Sequence, residues 1–114
     1  MFARIVWGKI MPGKWSDYEN AYKDAIKARG PIKGLVVQWL AQDAKDKDAG
    51  YSIGVWESEA ALKAYVGSEK HKAMTAPLKS FFVNQYTATH CDIRHMERAM
   101  SRPEPGDMDI YHTN

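Results

Sequence analysis

An α+β domain with its elements in the order βαββαβ is what this sequence predicts. Three observations carry that prediction. The 114 residues are the length of a single domain with one core to fill. Runs rich in β-branched and aromatic residues alternate with segments whose apolar residues recur at helical spacing. Clusters of Gly, Pro and Asp punctuate the boundaries between them.

The elements follow in order. Residues 2–11 read as a strand that ends at the turn "MPGK". The spacing then predicts a helix, with Ser16 and Glu19 as an S-x-x-E capping box. Trp15, Tyr18, Tyr22, Ala25, Ile26 and Arg29 fall on one side of it. Gly30 suits its C-terminal end, and Pro31 bars continuation. "KGLVVQWLAQD" is a second strand, "DAKDKDAG" a polar hairpin loop closed by Gly50, and "YSIGVWES" a third strand. The short helix "SEAALKAYV" leads through Gly67 into "SEKHKAMTAPLKSFF", residues 68–82. There Ser68 caps a second helical stretch, and His71, Met74, Leu78 and Phe82 share one stripe. Pro77 falls inside it and is expected to bend it. Residues 82–95 read as the fourth strand. This is the ferredoxin-like plan, an antiparallel sheet with helices on one face.

Both faces of that sheet are apolar. In the first strand Phe2, Val6 and Ile10 face one way, and Ala3, Ile5, Trp7 and Met11 the other. In the second, Leu35, Val37 and Trp39 oppose Val36 and Leu40. One helical layer covers one face, so the other needs a second cover, most simply another copy of the chain. A homodimer with its sheets face to face is expected.

Residues 1–95 form the expected domain. Residues 96–114 differ in texture, with Pro103, Pro105, Gly106 and four acids against two basic side chains. They read either as a loose tail or, through Ile110 and Tyr111, as a strap across a partner subunit.

Composition removes several function classes. A net charge of +2 without any Lys/Arg cluster gives nucleic acid nothing to bind. No apolar run reaches the length of a membrane span. "MFARIVWGKI" carries Arg4 inside its apolar run and has no small-residue cleavage site, so it does not read as a signal peptide. The lone Cys91 cannot make an internal disulfide, which suits a reducing cytoplasm.

One phrase, "VWESEAALKAYVGSEKHKAM", resembles the antibiotic biosynthesis monooxygenase domain, a group of dimeric α/β barrels. The match rests on Trp56-Glu57-Ser58 at the end of the third strand, then on Ser68-Glu69-Lys70-His71-Lys72-Ala73-Met74. The resemblance implies a cavity between the sheet and its own helices. In some members that cavity oxygenates electron-rich aromatic substrates without metal or flavin; others degrade haem, and many have no known reaction.

The candidate residues are weighed against that background. An imidazole on an apolar stripe is either a hydrogen-bonded core histidine or a base at a cavity. The resemblance places a histidine about where His71 stands, which implies a base that takes a phenolic or quinol proton. Tyr22, Tyr65 and Phe82 either fill the core or wall a flat aromatic pocket. Val6, Trp56, Met74 and Leu78 would complete that pocket, with Asn84, or Gln85, orienting a substrate oxygen. Haem-degrading relatives use an Asn, a Trp and a His where this chain has Val6, Tyr65 and Thr75, so haem degradation is disfavoured. His90, Cys91 and His95 do not make a zinc set, because on a strand His90 and Cys91 face opposite ways. The expectation is therefore a cofactor-independent, monooxygenase-like homodimer for a small aromatic ligand. The alternative is a barrel, ligand-binding or stress-related, that holds such a ligand without turning it over.

Overall fold

The structure, a computed structural model, describes residues 1–97; the expected strap at Ile110 and Tyr111 lies outside the described residues. Strand β1 (Phe2–Lys9) is followed by helix α1 (Trp15–Arg29), strands β2 (Leu35–Gln42) and β3 (Ala49–Trp56), and helices α2 (Glu59–Val66) and α3 (Glu69–Thr75). A 3₁₀ turn at Lys79–Phe81 leads to strand β4 (Thr87–Asp92). The sheet is antiparallel in the order β2-β3-β1-β4. This is the ferredoxin-like α+β arrangement that the element order predicts. No helix among the described residues is long and apolar enough to cross a membrane.

Alternation along β1 turns Phe2, Arg4, Val6, Gly8 and Ile10 toward the helices. Opposite them on β3 stand Trp56, Gly54, Ser52 and Gly50. Gly8 and Gly50 are direct partners, and the missing side chains are what let two rings lie on the sheet. A Cβ on Gly8 would run into the ring of Phe82, and one on Gly50 into the ring of Trp15 and the Ala41 carbonyl. Ile10, Trp15, Tyr18, Tyr22, Met74 and Leu78 then close one core cluster. A second, of Phe2, Trp56 and Leu62, sits at the other end of β1.

Several local expectations change. Helix α1 begins at Trp15 with Lys14 as its uncapped N-cap, so the Ser16–Glu19 box does not form. Glu19 instead accepts from Trp15 Nε1 (3.2 Å) and Lys23 Nζ (3.0 Å). Ser58 and Ser68 do cap α2 and α3, accepting from the Ala61 and His71 amides. Pro77 bends nothing, because α3 has already ended at Thr75 and the Leu78 amide turns back to the Thr75 carbonyl (2.9 Å). The fourth strand is shorter than residues 82–95. Phe82 makes one isolated bridge with Ile10, and its ring is drawn onto the sheet over Gly8, so the chain bends before β4 starts. In β2 a bulge between Leu35 and Val37 puts Leu35 with Leu40 on the helix side, not with Val37 and Trp39.

Among the described residues nothing covers the far side of the sheet. Val37 and Trp39 are 46% and 44% exposed there, beside the half-buried Ile5, Trp7, Tyr51 and Ile53.

Candidate functional site

Between the two core clusters, sheet and helices do not meet, and a cavity of about 80 Å³ remains. Its floor comes from the strands: Arg4 and Val6 on β1, Gln38 on β2, and Ser52 and Trp56 on β3. Helix α1 supplies Tyr18 and Tyr22, α2 supplies Tyr65, and α3 supplies His71, Met74 and Thr75. Leu78, Lys79, Phe82 and Tyr86 close it from the segment before β4. The small residues Ser52 and Gly54 beside Val6 and Arg4 leave that floor low.

His71 is positioned by its helix. The Ser68 hydroxyl holds the His71 amide at 3.2 Å and so sets the first turn of α3. The imidazole meets the Tyr65 ring edge-on, with centroids 5.0 Å apart, and Tyr65 stacks on Trp56 at 5.3 Å. Burial holds the imidazole below its ordinary pKa, and the positive charges of Arg4, Arg29 and Lys79 push the same way. A hydrogen bond to the Val66 carbonyl works against them. His71 is thus a histidine at a void and not one sealed among side chains.

A polar network braces the opposite wall. The Tyr22 and Ser52 hydroxyls are 2.7 Å apart, and Gln38 Nε2 donates to Tyr22 Oη at 2.8 Å. Arg29 donates to Gln38 Oε1 at 2.9 Å, with its guanidinium over the Tyr65 ring at 5.6 Å. Burial raises the Tyr22 pKa, with the Ser52 and Gln38 bonds opposing it, so Tyr22 stays a neutral phenol. Burial raises Tyr18 as well, reinforced by Tyr22.

Two polar atoms in the lining have no partner: Arg4 Nε and the Tyr65 hydroxyl, both buried. Among the described residues no carboxylate lines the cavity.

The cavity brings together His71, Val6, Tyr22, Trp56 and Tyr65, and also Met74, Leu78 and Phe82. Asn84 is not among its lining residues; it is exposed in the bend before β4, because the strand expected to carry it starts only at Thr87. Gln85 is exposed in the same segment. Sequence reasoning missed Arg4, Gln38, Ser52 and Lys79. Arg4 had a legible signal: it stands between Phe2 and Val6 on one face of an apolar strand. Gln38 and Ser52 had none, since only cross-strand register sets them beside Tyr22.

The model of the antibiotic biosynthesis monooxygenase family matches residues 1–77. The chain belongs to that family. Solved structures agree on the fold. A family-assigned protein from Deinococcus radiodurans matches with a TM-score of 0.73 at 11% identity, covering 89% of this chain and 100% of that one. A conserved protein from Methanosarcina mazei matches at 0.70 and 16% identity, covering 80% and 91%. SnoaB of Streptomyces nogalater, a cofactor-independent oxygenase solved as a mutant, matches at 0.71 and 10% identity, covering 83% and 94%. At such identities the likeness is one of fold. No curated protein sequence matches the chain.

Proposed function

We propose that this member of the antibiotic biosynthesis monooxygenase family is a cofactor-independent monooxygenase for a small aromatic substrate of the phenol, quinol or anthrone type. The observation that carries the reading is His71, a histidine held neutral at a cavity walled by aromatic rings. A base for a phenolic or benzylic proton must be unprotonated at working pH and within reach of a bound ring. The three cations around His71 favour the anion left behind, as oxyanion donors do elsewhere.

For an anthrone-type methylene the step balances without any further reductant. His71 takes the proton, and the carbanion passes one electron to dioxygen. The radical pair joins as a peroxide anion, which takes the proton back from His71, and loss of water from the hydroperoxide leaves a carbonyl. One oxygen atom enters the product and the other leaves as water, with all four electrons passing from the substrate to dioxygen. Tyr22, Trp56, Tyr65 and Phe82 flank the ring, with Val6, Met74 and Leu78 as apolar contacts.

The working unit in this reading is a homodimer, joined through the uncovered sheet face that carries Val37 and Trp39. The lone Cys91 suits a reducing cytoplasm, where we place the protein. Oxygen uptake over a panel of quinols and anthrones tests the function. Turnover of at least one that is lost in His71→Ala is the expected result; no uptake with any of them leaves a binding protein.

A further inference from the structure

We propose that the cavity takes an aromatic molecule that brings its own carboxylate, and that Arg4 on β1 binds that carboxylate. The inference deepens the function above and rests on one part of it only, that this cavity is the substrate site.

Arg4 lies on the cavity side of β1, an inner strand of the sheet, with Nε buried and without an acceptor. Its neighbours across the sheet are Gly54 on β3 and His90 on β4, neither of them an acid. Asp92, the acid closest in register on that face, stands opposite Phe2 at the end of β4 and is exposed. Among the described residues no carboxylate forms an ion pair with Arg4. Lys79 adds a second cation to the lining. Arg29 is different, since Gln38 Oε1 and the Gly30 carbonyl already engage it.

A half-buried guanidinium whose Nε has no acceptor among the described residues is costly to keep, and a planar carboxylate matches its fork of donors. The chemistry proposed for His71 cannot supply that anion. Moving a proton from substrate to imidazole only redistributes charge inside the cavity and leaves the two lining cations uncompensated. A carboxylate changes the sum. It also favours protonation of His71, because the imidazolium then forms beside a neutralised Arg4. The unpartnered Tyr65 hydroxyl is a further donor in the same lining.

The test is calorimetric titration of the full chain with benzoate, 1-naphthoate and 2-naphthoate, each against its own primary amide. The amide keeps the shape and removes the charge. At least one acid is expected to bind about 10- to 100-fold more tightly than its amide. Arg4→Gln should abolish that preference while leaving amide binding in place, and Lys79→Gln should reduce it less. In the wild type, the binding acid should move the NMR titration midpoint of His71 upward, and its amide should not. Equal binding of acids and amides overturns the proposal. So does the absence of acid binding at millimolar concentration, or a preference that survives Arg4→Gln. Oxygen uptake is read separately: an Arg4-dependent acid preference without turnover removes the monooxygenase reading alone, and turnover of neutral phenols only removes the carboxylate.

Discussion

Tyr65 is held between two rings, stacked on Trp56 at 5.3 Å and edge-on to His71 at 5.0 Å, with the His71 plane at 72° to its own. Trp56 ends β3, Tyr65 is on α2 and His71 is on α3, so the contact ties His71 to the sheet through two rigid elements. The base role proposed for His71 needs the imidazole held in place against a bound ring, and this stack is a contact that can hold it.

His71→Ala is expected to lower oxygen-dependent turnover by roughly 10²- to 10⁴-fold, the usual weight of a general base. His71→Gln should bind substrate and still turn it over poorly. Substrate-binding and turnover measurements on both variants separate this from a packing role, which would show mainly as lost stability.

The lowered pKa of His71 sets a pH dependence whose sign can be worked out. Its neutral form is favoured in the folded state relative to an ordinary imidazole at 6.5. Between the folded value and 6.5 the unfolded chain therefore binds more protons. Its contribution to stability is complete above pH 6.5, falls as the pH drops toward the folded value, and is flat below it. Turnover that needs the neutral base should rise with pH through the folded value and be level at neutrality. A pH–rate profile and a denaturant midpoint at each pH check both, with His71→Gln as the reference that lacks the transition.

Arg4→Met should stabilise the ligand-free protein by about 1 kcal/mol, because it replaces a half-buried cation that has no counter-ion among the described residues with an apolar chain of similar length. Urea unfolding of the two proteins measures this directly. A marked loss of stability would mean that Arg4 already has a partner.

Gly8→Ala should cost about 1–3 kcal/mol, as its Cβ displaces the Phe82 ring from the sheet. Thermal unfolding gives the loss. Gly8→Ala with Phe82→Leu should recover part of it, since the shorter side chain vacates the contested space.

Val37→Asp and Trp39→Asp should convert a dimer into a folded monomer. Both side chains are largely exposed within one chain, so the charge is tolerated there and is costly only in an interface, which should exceed ~1,000 Å². Sedimentation of wild type and variants at micromolar concentration decides it. A wild type that sediments as a monomer removes the dimer from the reading.

Local periodicity and turn chemistry carried most of the fold. The order βαββαβ, the Ser58 and Ser68 caps and the stripe of His71, Met74 and Leu78 depend on neighbours within a turn or two, so they were legible residue by residue. The capping box at Ser16 looked equally local and failed, because the helix starts at Trp15, which packs into the core over Gly50. Asn84 failed for a related reason: the Phe82 ring packs over Gly8 and delays β4 until Thr87.

The sequence by itself determined which residues can line a cavity, since alternation in β1 and helical spacing in α1 and α3 decide which side chains face inward. Only the tertiary structure decided what the cavity is. Register brings Gln38 and Ser52 to Tyr22, 16 and 30 residues away along the chain, and leaves Arg4 facing Gly54 and His90, with no acid among its register partners on the described strands. Charge compensation acts through space between strands distant in sequence, and neither spacing nor composition encodes it.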